Sequence, residues 1–331
     1  MEKSGVFMSV LSELKKRLIG RLCASASSSG RQLERQLILQ SLFIAKLNRG
    51  LAHMGTLSEA EFCGFSQWGE DGIIDWLVSR IPELPKTFVE FGVENYIESN
   101  TRLLLQMHNF KGLVLDASDN NVNSISSSGL AWRYNLSAKC DFINVSNINS
   151  LISLSGFEDD IGLLSIDLDG NDYWVWEAIV VVKPGIVVIE YNAVFGDLHH
   201  VTVPYRADFQ RTKAHYSNLY FGSSLLALIS LGCKKGYTFI GTTSSGVNAF
   251  FVRNDLTPDV LSNIKSINAY PSLIRESRDS DGKLTYLSGL ARCKLIIDCS
   301  LWNLDTLDTT SIRKLGAIYS PEWKASARRA F

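Results

Sequence analysis

The chain has 331 residues, 46% of them hydrophobic and 20% charged, with a formal net charge of -1. That composition is enough for a sizeable core and excludes a chain disordered throughout. The lack of a basic excess argues against a nucleic-acid partner, because phosphate-backbone binding is driven by Lys and Arg. The six cysteines (Cys23, Cys63, Cys140, Cys233, Cys293, Cys299) show no CxxC or paired metal spacing. Spread this thinly they suggest free thiols in a reducing compartment. No apolar run reaches the ~20 residues of a membrane span, and the N-terminus lacks a signal-peptide apolar segment. The expectation is a cytoplasmic protein without a transmembrane segment.

Residues 1–62 read as a helical extension. Val10, Leu11, Leu14 and Leu18 share one face of a first helix, and Ala24 to Gly30 (ASASSSG) forms a loop. Leu33, Leu37, Phe43, Ile44, Leu47 and Leu51 then fall near helical spacing. The extension is a cap on the main domain, an arm for a homo-oligomer, or a basic amphipathic surface helix. Residues 65–80 (FSQWGEDGIIDWLVSR) predict a turn and a helix burying Ile73, Ile74, Trp76 and Leu77. The polar, Gly-containing Gln67–Gly72 either lines a pocket or starts that helix, with Glu70 and Asp71 favourable to its dipole.

A first strand, Thr87 to Phe91, leads to Gly92 and a helix over Ile97 to His108. Strand, glycine turn and helix is where a nucleotide-like cofactor sits. Only Gly92 of a G-x-G-x-x-G fingerprint is present, and Glu90 precedes it. A carboxylate there suits a cationic ligand and would repel a pyrophosphate. A second strand, Gly112 to Leu115, ends on Asp116, an acid placed to accept both hydroxyls of a ribose. The alternative is that Asp116 caps the next turn. Residues 117–135 form a loop and helix, and Asp141 to Val145 a third strand, from which Asp141 or Asn144 would touch an adenine amine.

Ile161 to Asn192 is the densest stretch. An apolar run ends on Asp167, Tyr173 to Val180 makes one short helix, Lys183-Pro184-Gly185 stops it, and Ile186 to Ile189 ends on Glu190. This is a βαβ unit with buried parallel strands. Its strand ends carry acids, with Asp169, Asn171, Asp172 and Asn192 as further oxygen donors, so it reads as the floor of a site. Residues 193–222 form an insert of few core-length runs, the usual form of a lid or binding loop. It holds His199, His200, His215 and Arg211. A helix (Ser223 to Leu231) and a hairpin (Tyr237 to Gly241, Val247 to Val252) complete an α/β domain over 63–254. Residues 255–331 form a C-terminal appendix.

Several of these pieces together resemble the FkbM-like branch of S-adenosylmethionine-dependent methyltransferases. They are Ser66-Gln67-Trp68-Gly69-Glu70-Asp71, Val89-Glu90-Phe91-Gly92-Val93, Asp116, Ile166-Asp167-Leu168-Asp169-Gly170-Asn171-Asp172 and Val188-Ile189-Glu190-Tyr191-Asn192. The resemblance spans about residues 65–253. It implies an α/β, Rossmann-like class I methyltransferase fold, with a seven-stranded, mostly parallel sheet closed by an antiparallel hairpin. It implies O-methyl transfer to a hydroxyl of a sugar or glycosylated small metabolite. Gln67, Glu90, Gly92, Asn100, Asp116 and Asp141 would bind the cofactor. By likeness to macrocin-type sugar O-methyltransferases, Asp167, Asp169, Glu190 and Asn192 would hold Mg²⁺. His215 is the first choice of base, with His199 and His200 as alternatives and Asp167 as a further catalytic residue. Two other readings compete. Asp167-Leu168-Asp169-Gly170 also resembles the haloacid-dehalogenase phosphatase motif, with Asp167 as nucleophile and Asp169 as acid. A non-catalytic methyltransferase fold serving as a scaffold is the other.

Overall fold

The computed structural model of the chain describes residues 30, 32–51 and 53–329. The first helix expected from Val10, Leu11, Leu14 and Leu18 lies outside the described residues. Apolar strands whose side chains alternate between faces need cover on both sides, and the central sheet obeys this. Phe88, Val114, Leu163, Val188 and Phe250 pack into one core, while Val89, Leu115, Leu164, Ile189 and Phe251 pack into the opposite one.

The sheet has seven strands: β1 (Thr87–Phe91), β2 (Lys111–Asp116), β3 (Leu136–Cys140), β4 (Asp159–Ile166), β5 (Val182–Glu190), β7 (Tyr237–Thr242) and β8 (Asn248–Arg253). Their order is β3-β2-β1-β4-β5-β8-β7. The pairings from β3 to β5 are parallel, and β8 is antiparallel to both β5 and β7. This is the mostly parallel sheet with a C-terminal antiparallel hairpin of the class I methyltransferase fold. The strand order reverses between β1 and β4. Ligand crevices of open α/β sheets form at that point, outside the carboxyl ends of the strands.

A second, three-stranded sheet joins distant parts of the chain. β6 (Val201–Thr202), from the insert, pairs antiparallel with β9 (Leu301–Asn303), which pairs with β10 (Asp308–Thr310). The C-terminal segment also adds Ile296, Leu301, Ile318, Tyr319 and Trp323 to the larger core.

Three local expectations need correction. The third strand runs over Leu136–Cys140 rather than 141–145. It is an edge strand with only its first residue fully buried, so it carries no apolar run to detect. β5 begins at Val182 rather than Ile186, so Lys183-Pro184-Gly185 lies inside the strand, and the helix before it already ends at Ala178. The helix expected from Ile97 starts only at Arg102. Ser99, Asn100 and Thr101 hydrogen-bond to Glu90 instead of entering a helical turn.

The helix over 32–50 buries Ser41, Ala45 and Asn48 and leaves Leu39, Phe43 and Leu47 exposed. Among the described residues, no helix is long and apolar enough to cross a membrane.

Candidate active site

The carboxyl ends of β1, β2, β4 and β5 open on one cleft with two lobes. The first, of about 380 Å³, is bounded by Asp116, Asp141, Phe142, Ile143, Leu168 and Phe209. The second, of about 360 Å³, is bounded by Gln67, Trp68, Glu90, Asn100, Glu190 and Asn248. Gly92, Asp116, Asp167, Asp169 and Arg211 border both. Glu90 and Asp116 therefore face the same space, one strand apart.

Glycine at position 92 follows from sterics. Its φ is 69°, and a Cβ there would sit 1.8 Å from the Asp167 carbonyl oxygen. The turns after β1 and β4 thus touch through backbone alone, which keeps the floor of the cleft open.

Glu90 is buried and accepts from the Ser99 hydroxyl (2.7 Å), the Asn100 amide (2.8 Å) and the Thr101 hydroxyl. Burial raises its carboxyl above the ordinary range, and those hydrogen bonds partly offset the shift. Asn100 extends its side chain to the Ser165 hydroxyl at 3.1 Å. Asp116 accepts from the amides of Glu94 and Ser118, each at 2.8 Å, and from the Asn121 side chain at 2.9 Å. It joins the turns after β1 and β2, and also stabilises the turn that follows it. A carboxylate offers about four acceptor positions, so ligand hydroxyls have one left. Asp141 accepts from Asn147 at 3.1 Å and borders the first lobe, and Gln67 bonds Glu98 at 2.8 Å on the rim of the second.

Helix Glu70–Arg80 anchors the rim. Glu70 is buried and accepts from the Trp68 amide (2.9 Å) and from Asn248 (2.8 Å), which lies opposite Glu190 in the sheet. Asp71 accepts from the amides of Gly64, Phe65 and Ser66, and burial nevertheless pushes it up to about 6. The two acids do more than complement a helix dipole: they fix the loop that carries Gln67 and Trp68.

Asp167, Asp169 and Glu190 each place a carboxylate oxygen within 4.8 Å of the others. Burial, then repulsion from Asp169 and Asp172, holds Asp167 well above the usual carboxylate range. Burial, then Asp167, does the same to Glu190, one of whose oxygens (Oε2) is buried without a partner. Three hard oxygen donors, one of them unpaired, are a suitable set for Mg²⁺ or Mn²⁺. Asp172 stands apart from the trio. It accepts from the Leu168 and Gly170 amides at 2.7 and 3.0 Å and shapes the turn.

Asn192 does not join them. Its amide donates to the Leu219 and Phe221 carbonyls at 2.8 and 2.9 Å, and its oxygen accepts from Val194 at 3.0 Å. With its hydrogen-bonding groups committed to the insert, it is a structural tie rather than a ligand. Neither His215 nor His199 borders the cleft. His215 bonds Ser217 at 2.8 Å, and burial lowers its pKa. His199 bonds the Ala317 carbonyl at 2.8 Å, and His200 pairs with Asp305. The insert instead sends Phe209 and Arg211 to the site. Phe209 packs where a Cβ on Gly170 would come within 2.1 Å of its ring, so Gly170 is required for the wall to seat. Arg211 reaches Asp169 at 2.8 Å and Glu190 at 3.9 Å. The signal for it was a run of acids facing an insert whose only Lys and Arg are Arg206, Arg211 and Lys213.

For the phosphatase reading, Asp167 follows the fourth strand of the domain, after three earlier strands.

No family model matches the chain, and no curated protein matches it. Among solved structures it is similar to an S-adenosylmethionine-dependent methyltransferase from Clostridium acetobutylicum (11% identity, TM-score 0.37), over 56% of this chain and 90% of that one. It is also similar to the N-terminal domain of EvdMO1 with S-adenosylhomocysteine bound (10% identity, TM-score 0.38), over 67% of this chain and 94% of that one. An O-methyltransferase from Bacillus cereus in complex with S-adenosylhomocysteine matches at 16% identity and TM-score 0.30, over 48% of this chain and 67% of that one. Likeness this distant carries nothing about substrate or mechanism; the fold assignment rests on the strand order itself.

Proposed function

We propose that the chain is an S-adenosylmethionine-dependent methyltransferase acting on a hydroxyl of a sugar or glycosylated small metabolite. The observation that carries this is the meeting of Glu90, Gly92 and Asp116 in one cleft at the strand-order reversal, beside a trio of acids. Asp116 would hold the ribose, and Phe142, Ile143 and Asp141, which border the first lobe, would hold the adenine. Glu90 and the acid trio, which border the second lobe, would supply acidic surroundings that favour a sulfonium. The sugar class of the acceptor is taken from the sequence resemblance alone.

In-line transfer breaks the sulfonium–methyl bond and forms an oxygen–methyl bond, while the hydroxyl proton passes to a base. Positioning supplies much of such a rate. With the histidines away from the cleft, Asp169 is the base: it is the exposed member of the trio. A divalent cation on Asp167, Asp169 and Glu190 would lower the hydroxyl pKa. Titration calorimetry with S-adenosylhomocysteine tests the reading. Binding that is lost in Asp116→Ala supports it. No binding by the wild-type chain overturns it and leaves phosphate release from a generic phosphomonoester, or a scaffold role, as what to examine.

A further inference from the structure

Arg211 is enclosed by the same groups that a metal would need. Its Nη1 donates to Asp169 at 2.8 Å and stands 3.9 Å from Glu190. Its Nη2 donates to Glu276 at 2.9 Å and its Nε to the Asn218 carbonyl at 2.7 Å. The guanidinium lies 3.7 Å over the Phe221 ring. Burial works against the charge, but Glu190, Asp169 and Glu276 outweigh it and hold the side chain firmly protonated. Each of its three nitrogens therefore donates a hydrogen bond, which fixes the residue in place.

That position has two consequences. A hard divalent ion binds carboxylate oxygens at roughly 2.0–2.6 Å. It cannot take Asp169 and Glu190 while a guanidinium occupies the space between them, since like charges at ~4 Å repel strongly in a partly buried site. Arg211 also belongs to the wall. Phe209, Gln210, Arg211 and Thr212 border the first lobe, and Arg211 ties this stretch to Asp169 and Glu190 at the ends of β4 and β5, alongside Phe209 packed on Gly170 and the Asn171 bond to the Arg206 carbonyl.

We propose that Arg211 is the resident counter-ion of the acid trio and the latch of the insert, so that a divalent cation and Arg211 compete for Asp169 and Glu190. Cation entry releases the 209–212 wall; cation loss lets it fasten again. The proposal takes the location of the trio in a methyl-transfer cleft from the reading above, but the competition itself does not depend on which reaction the cleft performs.

The test is Mn²⁺ binding, followed by the paramagnetic resonance of the free ion, on the full chain and on Arg211→Gln. The variant is expected to bind Mn²⁺ about tenfold more tightly than wild type, the scale of one close charge pair. Adding Asp169→Asn to it is expected to remove that gain. Glu276→Gln, which loosens Arg211 while leaving the trio intact, is expected to shift affinity in the same direction by less, and it serves if Arg211→Gln fails to fold. Amide hydrogen exchange over residues 205–222 is expected to accelerate when Mn²⁺ saturates the wild-type chain. Equal affinities in wild type and both variants, no Mn²⁺ bound by any of them, or unchanged exchange would each overturn the latch. Calorimetry with S-adenosylhomocysteine on the same samples separates the two ideas. Its failure alone removes the methyl-transfer reading, and loss of the Mn²⁺ difference alone removes the latch.

Discussion

The Asp116 carboxylate accepts a 2.8 Å hydrogen bond from the Glu94 amide, joining the end of β2 to the turn after β1. Glu94 has a φ of 47°, a left-handed conformation that a non-glycine residue holds at some cost. The bond from Asp116 supports that conformation, so one carboxylate both shapes the turn after β1 and borders the cleft. Asp116→Ala is expected to weaken S-adenosylhomocysteine binding by at least about tenfold, the scale of losing a charged hydrogen bond. Asp116→Asn, which keeps an acceptor oxygen, is expected to lose less. Calorimetry on both variants is the check, and equal losses would mean that charge rather than turn geometry dominates.

Gly92→Ala is expected to destabilise the fold as well as the site. The new methyl would meet the Asp167 carbonyl oxygen at 1.8 Å, and backbone cannot rotate away as a side chain can. Overpacking plus the left-handed φ is expected to cost roughly 2 kcal/mol or more. Urea unfolding measures it, and a cost within error of zero would show that the β1 and β4 turns separate easily.

Asp71 gives a pH dependence with a definite sign. Burial pushes its folded carboxyl up to about 6, from the usual aspartate value of about 3.9. Between those values the folded chain holds a proton that the unfolded chain has released, so this contribution to stability is present below the window and lost as pH rises through it. Chemical denaturation between pH 4 and 7 is expected to show a slope of this sign that is shallower in Asp71→Asn. The difference is on the order of 3 kcal/mol across the window.

His199→Ala and His215→Ala are expected to leave the methyl-transfer rate within about threefold of wild type, the scale of substitutions remote from the chemistry. Both side chains are spent on contacts inside the insert and C-terminal segment. Asp169→Asn is expected to reduce the rate far more. Initial rates with a labelled methyl donor decide between them.

The sequence showed most clearly what depends on local pattern. The apolar strands of the β4–β5 unit announce themselves, and their terminal acids Asp167 and Glu190 do converge in space. It was silent where polar side chains decide the backbone. Nothing in Ser99-Asn100-Thr101 marks it as the cradle of Glu90 rather than the first turn of a helix, because that choice depends on a carboxylate supplied by another element. The histidines drew attention through their chemistry, whereas Arg211 gave the weaker signal and took the central position. Which of several polar residues in a long insert turns inward is fixed by its tertiary anchors, here Asn218, Glu276 and the Phe221 ring.

Pairing β6 with β9 makes the C-terminal segment a structural guardian of the cleft wall. The insert that delivers Arg211 is stitched along its first half by Leu304 bonding the His200 carbonyl, Asp197 bonding the Ile318 carbonyl and the Tyr319 hydroxyl bonding the Ala193 carbonyl. Damage to this C-terminal segment would therefore register as a defect in the cleft, far away in sequence, while the seven-stranded sheet itself kept its register.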